Sequence, residues 1–270
     1  MLSSVSRALT FLCSILYAIL GGILFLFPER LAPVFAWKVT PFMTMTIGAW
    51  CLGNAWLAWI SARRWQWRLV YTALVYLWLF GTLETVILIV FRDKVRLVHP
   101  VAWLYVATLL LNVITAIVGF RDLMRIKPSY ERFGPPSAAW LRGSALAFVV
   151  FVGFLSIYGL VAQIGWPATR GGIFPEEMSL FTLRSFAAFY FSLAVGALPL
   201  IREDNLPVIL NHSIANYALV ILITAAALVY MRLFDFVERP GGLLYFGAYL
   251  IVGIPLFFIF SKYGTGLKNE

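Results

Sequence analysis

The chain has 270 residues, 62% of them hydrophobic and 12% charged, and carries a formal net charge of +9. That much apolar surface excludes a water-soluble domain of this size, because too few polar side chains exist to cover it. The positive balance suits anionic lipid headgroups rather than nucleic acid: Lys and Arg cluster between long apolar runs, and no aromatic-interleaved basic patch accompanies them.

A hydrocarbon core of ~30 Å takes about 20 helical residues to cross. Eight runs meet that length, at residues 9–27, 41–61, 69–91, 101–120, 141–163, 179–201, 213–231 and 240–260. Inside a bilayer no water satisfies backbone N–H and C=O groups, so each run is predicted to be a helix. A barrel would show short alternating segments, whereas Leu146–Leu155 is apolar on every face. The predicted fold class is therefore all-α, an eight-span transmembrane helical bundle.

The first run follows Arg7 and extends to Phe27, longer than the ~7–15-residue core of a signal peptide, and no small-x-small cleavage site follows, so it is expected to be retained. Thr40-Pro41 places a capping hydroxyl before a proline at the first helical position, and Pro240 opens the last span similarly. Cys13 and Cys51 lie inside spans without a pairing pattern and read as small core residues.

The distribution of Lys and Arg predicts orientation. The N-terminus, the even-numbered gaps and the C-terminal tail carry twelve: Arg7, Arg63, Arg64, Arg68, Arg121, Arg125, Lys127, Arg132, Arg142, Arg202, Lys262 and Lys268. The opposite side carries eight: Arg30, Lys38, Arg92, Lys94, Arg96, Arg170, Arg232 and Arg239. The excess places both termini in the cytoplasm, and the short loops suit a bacterial plasma membrane. Trp37, Trp65, Trp67, Trp103, Trp140 and Trp166 fall near span ends, where amphipathic rings settle at headgroup level.

The spans read as four written twice. Shifting the numbering by 139 pairs Pro28 with Pro167, Phe35 with Phe174, Phe42 with Phe181, Ala49 with Ala188, Ala55 with Ala194 and Arg63 with Arg202. Each half has a long first gap, a charged second gap and a third gap closed by a proline, Pro100 or Pro240. The expected organisation is a first repeat at 1–120, a cytoplasmic linker at 121–140 and a second repeat at 141–270. In the linker the fourth helix continues past Arg121 until Pro128, Gly134, Pro135 and Pro136 stop it. Four spans per repeat give parallel repeats about an axis along the membrane normal; eight short-looped helices could also look alike through packing constraint alone. Four short spans with a proline directly after the first resemble the plan of compact DoxX-like bacterial membrane proteins, duplicated here. The likeness is one of layout and implies no activity.

Small residues recur at four-residue spacing on the second and sixth spans, Ala49 and Gly53, then Ala188, Ser192 and Gly196. This pattern lets helix backbones approach closely and predicts that these two helices meet at the repeat axis. Two ionisable residues lie inside spans, Glu84 and Arg184, about seven and five residues from the outer ends, or roughly 11 Å and 8 Å deep. A charge at that depth faces protein or water and marks a candidate site. Thr108, Tyr105 and Tyr245 reach similar depth. One reading is a polar pocket in the outer half, with Arg184 attracting an anion and Glu84 gating it or carrying a proton. The other is structural: a buried pair, a protonated Glu84 bonded to a threonine, or an Arg184 that snorkels.

Asn54 and Asn112 suit hydrogen bonds across helices. Trp50, Trp56 and Trp78 could line a flat lipophilic site, though packing serves them as well. No His/Cys/Asp/Glu cluster has metal-ligand spacing, and His99 and His212 are predicted on opposite faces, so neither metal nor haem nor any other cofactor is expected. No catalytic residue is assigned, since no phosphate loop, dinucleotide fingerprint or nucleophile elbow is present. The expected function is a small transporter or a binder of a lipophilic or anionic ligand. The rival is a non-catalytic accessory or assembly subunit of a membrane complex, and an enzyme ranks third. The expected partners are the lipid bilayer, a small-molecule or lipid ligand, or a membrane protein.

Overall fold

The structure, a computed structural model, describes residues 2–126, 134–170 and 172–263. Lys127, Pro128, Arg132 and Lys268 lie outside the described residues. Eight long helices run through the rest: α1 Ser4–Leu26, α2 Pro41–Arg63, α3 Trp67–Val90, α4 Pro100–Ile126, α5 Ala139–Val161, α6 Leu180–Ala197, α7 Leu206–Val229 and α8 Gly242–Tyr263. Among the described residues there is no strand, only an isolated bridge between Pro136 and Asn205.

Hydroxyl caps start several helices as the sequence chemistry requires. Ser3, Thr40 and Ser179 accept from the backbone N–H of Ser6, Met43 and Thr182, satisfying donors that the first turn leaves orphaned. Seven helices, all except α2, are long and apolar enough to cross a membrane. Helix α2 is diluted by Thr44, Thr46, Gly48, Gly53 and Asn54, all buried. It packs against α1 on one side and α7 on the other, so its sequence answers to protein neighbours rather than to lipid.

The near face of the bundle holds the chain start and the turns after α2 and α6. There Trp65 Nε1 donates to the Leu2 carbonyl (3.3 Å) and Arg7 Nε to that of Ala62 (2.8 Å). The far face holds the longer connections 27–40, 91–99, 162–179 and 230–241. Across it Tyr230 donates to Glu29 (2.9 Å), Arg239 to the Pro175 carbonyl (3.0 Å), and Thr40 to Glu176. Burial pushes the Glu176 carboxyl up, against the smaller opposing pull of Thr40.

Helix α1 packs on α2 and α4, and α5 on α6; α2 crosses to α7, and α3 to α6 and α7. The first four helices and the last four are thereby interlocked. Several element bounds recur at the 139-residue shift, although Ser4–Leu26 and Ala139–Val161 are offset by 135. Pro28–Leu31 matches Pro167–Arg170, Trp67–Val90 matches Leu206–Val229, and Arg92–Lys94 matches Met231–Leu233. Contacts recur as well: Phe42 meets Tyr230 edge-on at 5.9 Å, and their shifted counterparts Phe181 and Phe91 stack at 5.2 Å. Trp50 stacks on its own counterpart Phe189 (4.6 Å, 7°).

Two expectations change. Helix α7 starts at Leu206, not at 213, so Asn211 and His212 are helical and interior. They break a hydropathy run but not the helix, because Asn211 pairs with Arg64 (3.0 Å) and the Leu69 carbonyl (2.6 Å), and His212 Nδ1 with Thr72 (2.9 Å). The small-residue series also faces elsewhere. A Cβ on Gly53 would collide with Leu219 of α7, and one on Gly196 would sit 2.7 Å from Tyr76 of α3. Ala49 and Ala188 are buried, and Ser192 bonds back to the Ala188 carbonyl (2.7 Å). Helices α2 and α6 meet instead through rings, Trp50 on Phe186 and Phe189. Large side chains can bridge two helices whose backbones are each drawn close to another partner.

Candidate functional site

The far-face connection before α2 does not stay at the surface. Phe35 and Trp37, 1% and 3% exposed, turn inward and wedge between α4 and α6. Trp37 stacks on Phe181 (4.3 Å, 16°), meets Tyr105 edge-on (5.3 Å) and donates from Nε1 to Thr182 (3.1 Å). Phe91 extends the stack on the other side of Phe181 (5.2 Å, 13°). The indole is fixed by one hydrogen bond and three rings, those of Phe181, Tyr105 and Phe35 (4.7 Å), an arrangement suited to a plug.

Above this plug, a hollow of about 850 Å³ opens at the far face. Lys38, Lys94, Arg96 and Arg170 line it with Asp93 and Glu177, four cations against two carboxylates. Lys94 lies 3.0 Å from Asp93, and its hydrogen bond holds that carboxyl below its usual range. The deep wall is apolar, formed by Trp37, Phe91, Met43, Met178 and Phe181. The hollow therefore combines a cationic rim with an aromatic floor.

Below the plug lies an enclosed cavity of about 10 Å³, room for roughly one water molecule. Trp37 belongs to its wall too, together with Glu84, Tyr105 and Thr108. Glu84, 1% exposed, accepts a hydrogen bond from the Tyr105 hydroxyl (3.1 Å). Ser185 of α6 is close enough to act on the carboxyl, yet neither its hydroxyl nor Glu84 Oε1 has a partner in hydrogen-bond geometry. Thr108 spends its own proton on the Leu104 carbonyl (2.7 Å), leaving lone pairs toward the cavity.

Of the residues singled out in the sequence, the structure brings together Glu84, Tyr105 and Thr108. Arg184 does not pair with Glu84. Its guanidinium donates to the Gly159 carbonyl and to that of Ala162 (2.7 Å), capping the C-terminal end of α5 where the helix dipole favours a cation. Equal depth along two helices did not fix equal azimuth. Tyr245 lies in a separate aromatic group with Phe42, Phe174 and Phe234. The three tryptophans also part company. Trp50 stacks on Phe189, Trp56 donates to the Ile214 carbonyl (2.9 Å), and Trp78 packs on Trp67. The residues missed were Trp37, Tyr17 and Ser185. Phe35 and Trp37 standing in a nominal loop were the available signal, since exposed loops carry few adjacent large rings.

Among the described residues no three His, Cys, Asp or Glu side chains form a group that could hold a metal ion. Comparison with known protein families, with curated proteins and with solved structures finds no match for this chain.

Proposed function

We propose that this chain is an eight-span membrane protein built from two parallel four-helix repeats, with its near face in the cytoplasm of a bacterial cell. In this reading α2 is the eighth span, sheltered from lipid by its neighbours. The recurrence of element bounds and ring contacts at 139 residues supports the duplication. The excess of Lys and Arg on the near side supports the orientation.

Within that frame the protein is a small transporter, or a binder of an amphiphilic anion, whose site lies in the far-face half of the bundle. The carrying observation is Trp37: one indole forms both the floor of an open cationic hollow and the roof of the closed cavity holding Glu84. The hollow's volume falls in the ~300–1,000 Å³ range of small-molecule sites. Its rim suits an anionic head and its ring-lined floor an apolar or flat body. Arg184 acts by bracing α5 rather than by touching the ligand.

Native mass spectrometry of the full chain, extracted gently from its own membrane, tests this reading. A stoichiometric anionic small molecule is expected, and Arg96→Ala with Arg170→Ala should reduce its occupancy at least tenfold. The accessory-subunit reading draws on the tight filling below Trp37. A stoichiometric protein partner, with no small molecule on either form, would decide for it.

A further inference from the structure

From the Glu84 cavity toward the near face, the seam between α1 and α4 carries a buried polar side chain at every turn. Tyr17 of α1 lines the cavity, and its hydroxyl accepts from Asn112 Nδ2 of α4 (2.8 Å). One turn on, Thr115 Oγ1 lies 3.2 Å from Cys13 Sγ. Thr10, fully buried, follows on α1. Ser6 then donates to Asp122 Oδ2 (2.5 Å), which also receives the Ser3 hydroxyl (2.5 Å). Asp122 is half-buried at the near face.

Gluing two helices together takes a polar pair or two. It does not explain a polar group at each turn, nor why Asn112 Oδ1 is buried with no partner. Between α5 and α8, whose place in the chain corresponds, the lining residues of those two helices are apolar apart from Ser144 and Tyr249. Buried polar contacts also join α7 to α3 (His212 with Thr72) and α3 to α2 (Tyr76 with Asn54), but the run along α1 and α4 is the one that links Asp122 to the cavity of Glu84. The titratable groups facing Glu84 are Tyr105 from α4, Tyr17 from α1, Cys51 from α2 and Tyr76 on its own helix, with Ser185 from α6. Among the described residues no Lys, Arg or His lines its cavity. A carboxyl so placed lacks a counter-charge and rests as the neutral acid.

We propose that the α1–α4 seam is a proton path between Asp122 at the near face and Glu84 beneath Trp37, which makes the proton the coupling ion of the far-face site. The inference rests on the transport reading above. At rest the Thr10 and Thr115 hydroxyls donate to the Ser6 and Leu111 carbonyls (2.8 and 2.7 Å), so the path conducts only as they rotate off those carbonyls. A proton bound at Asp122 then passes inward as each hydroxyl accepts one on a lone pair and releases its own. The relay groups end unchanged, and Glu84 carboxylate becomes the acid. When Trp37 lifts, water reaches Glu84 from the hollow, its O–H bond breaks, and the proton leaves at the far face.

Infrared spectroscopy of the full chain in lipid vesicles, transferred into heavy water without ligand, tests the path. A protonated-carboxyl stretch that Glu84→Gln removes should shift as deuterium replaces the proton. Thr115→Val and Tyr17→Phe, close in shape to the originals, should slow that shift at least tenfold. Thr115→Ser should restore the rate, and Ser192→Ala, a hydroxyl buried elsewhere, should leave it unchanged. Thermal unfolding of each variant checks that it is folded. Absence of the band in the wild type, or unslowed exchange in folded seam variants, would overturn the proposal. A rate set by Trp37→Ala alone would do the same by assigning proton access to the far face. Because this readout uses no ligand, it stands or falls separately from the mass-spectrometry result.

Discussion

The seams α1–α4 and α5–α8 occupy corresponding places in chain order, yet they are built differently. The first is closed by Asn112 on Tyr17, Thr115 on Cys13 and two serines on Asp122. The faces of α5 and α8 in the second are mainly apolar, with Phe148, Phe151, Val152, Val252 and Leu256, and hollows of about 50 and 100 Å³ remain beside them, to which α7 adds His212, Ser213 and Asn216. Lipid tails are as apolar as Leu, so two oily helix faces gain little by leaving lipid for each other. Polar pairs and close backbone approach supply the missing drive. A closed seam in a membrane is therefore the one that carries polar side chains, and this one leads to the buried carboxyl.

The largest effect lies at Gly21 of α1, on the face that α1 turns to α2 rather than to α4, and compares how closely the two ends of the chain are packed. A Cβ there would sit 2.6 Å from the Leu52 amide nitrogen and 2.9 Å from the Gly48 carbonyl, backbone that cannot step aside. Gly21→Ala should cost about 3 kcal/mol in detergent unfolding. Gly153→Ala on α5, with nothing within 4 Å of the new Cβ, should stay within about 0.5 kcal/mol of the wild type. Equal effects would erase the distinction between the two ends of the chain.

Enlarging the seams directly comes next. Thr115→Leu overfills a closed interface and should cost about 2 kcal/mol, whereas Val252→Leu grows into a hollow and should be neutral or slightly stabilising. A similar loss from both would mean that the α5–α8 hollows are as tightly set as the α1–α4 contacts. Arg184→Gln should cost about 1–2 kcal/mol through the lost cap on α5, and should leave the Glu84 carboxyl stretch where it was. A moved band would restore the ion-pair reading of these two residues.

The smallest effect is at Glu203, in the near-face turn before α7. Burial raises its carboxyl, but donors from Asn205 and the Arg68 and Tyr71 side chains outweigh it and hold the group below its ordinary 4.5. A depressed carboxyl stabilises the fold above its unfolded value and loses that contribution as pH falls through the folded one. Glu203→Gln should therefore cost about 1 kcal/mol at neutral pH. Its gap from the wild type should close as pH drops below 4.5. A gap that persists in acid would assign the loss to shape rather than charge.

Much of the architecture was legible because solvent enforces it. The all-helical class follows from unsatisfied backbone groups in lipid, and the cap at Thr40 could be read from a single residue. The start of α7 was not legible, since Asn211 and His212 look like surface residues until Arg64, Leu69 and Thr72 supply their partners. The candidate site was half legible: Glu84, Tyr105 and Thr108 stood out as polar groups at one depth. The polar stripe Ser6, Thr10, Cys13 and Tyr17 also had helical spacing, but spacing alone did not say which neighbour it faced.

The sequence by itself determined the helical class, the approximate length of the helices other than α7 and the depth along the chain of Glu84, Tyr105 and Thr108, because these depend on distance along one chain. The tertiary structure alone decided azimuth and partnership. It turned Arg184 away to the end of α5, drew Trp37 out of a loop into the space above Glu84, and set α2 against α7 instead of α6. Those outcomes depend on which faces of separate helices fit, and fit is a property of pairs of surfaces that no single stretch of sequence contains.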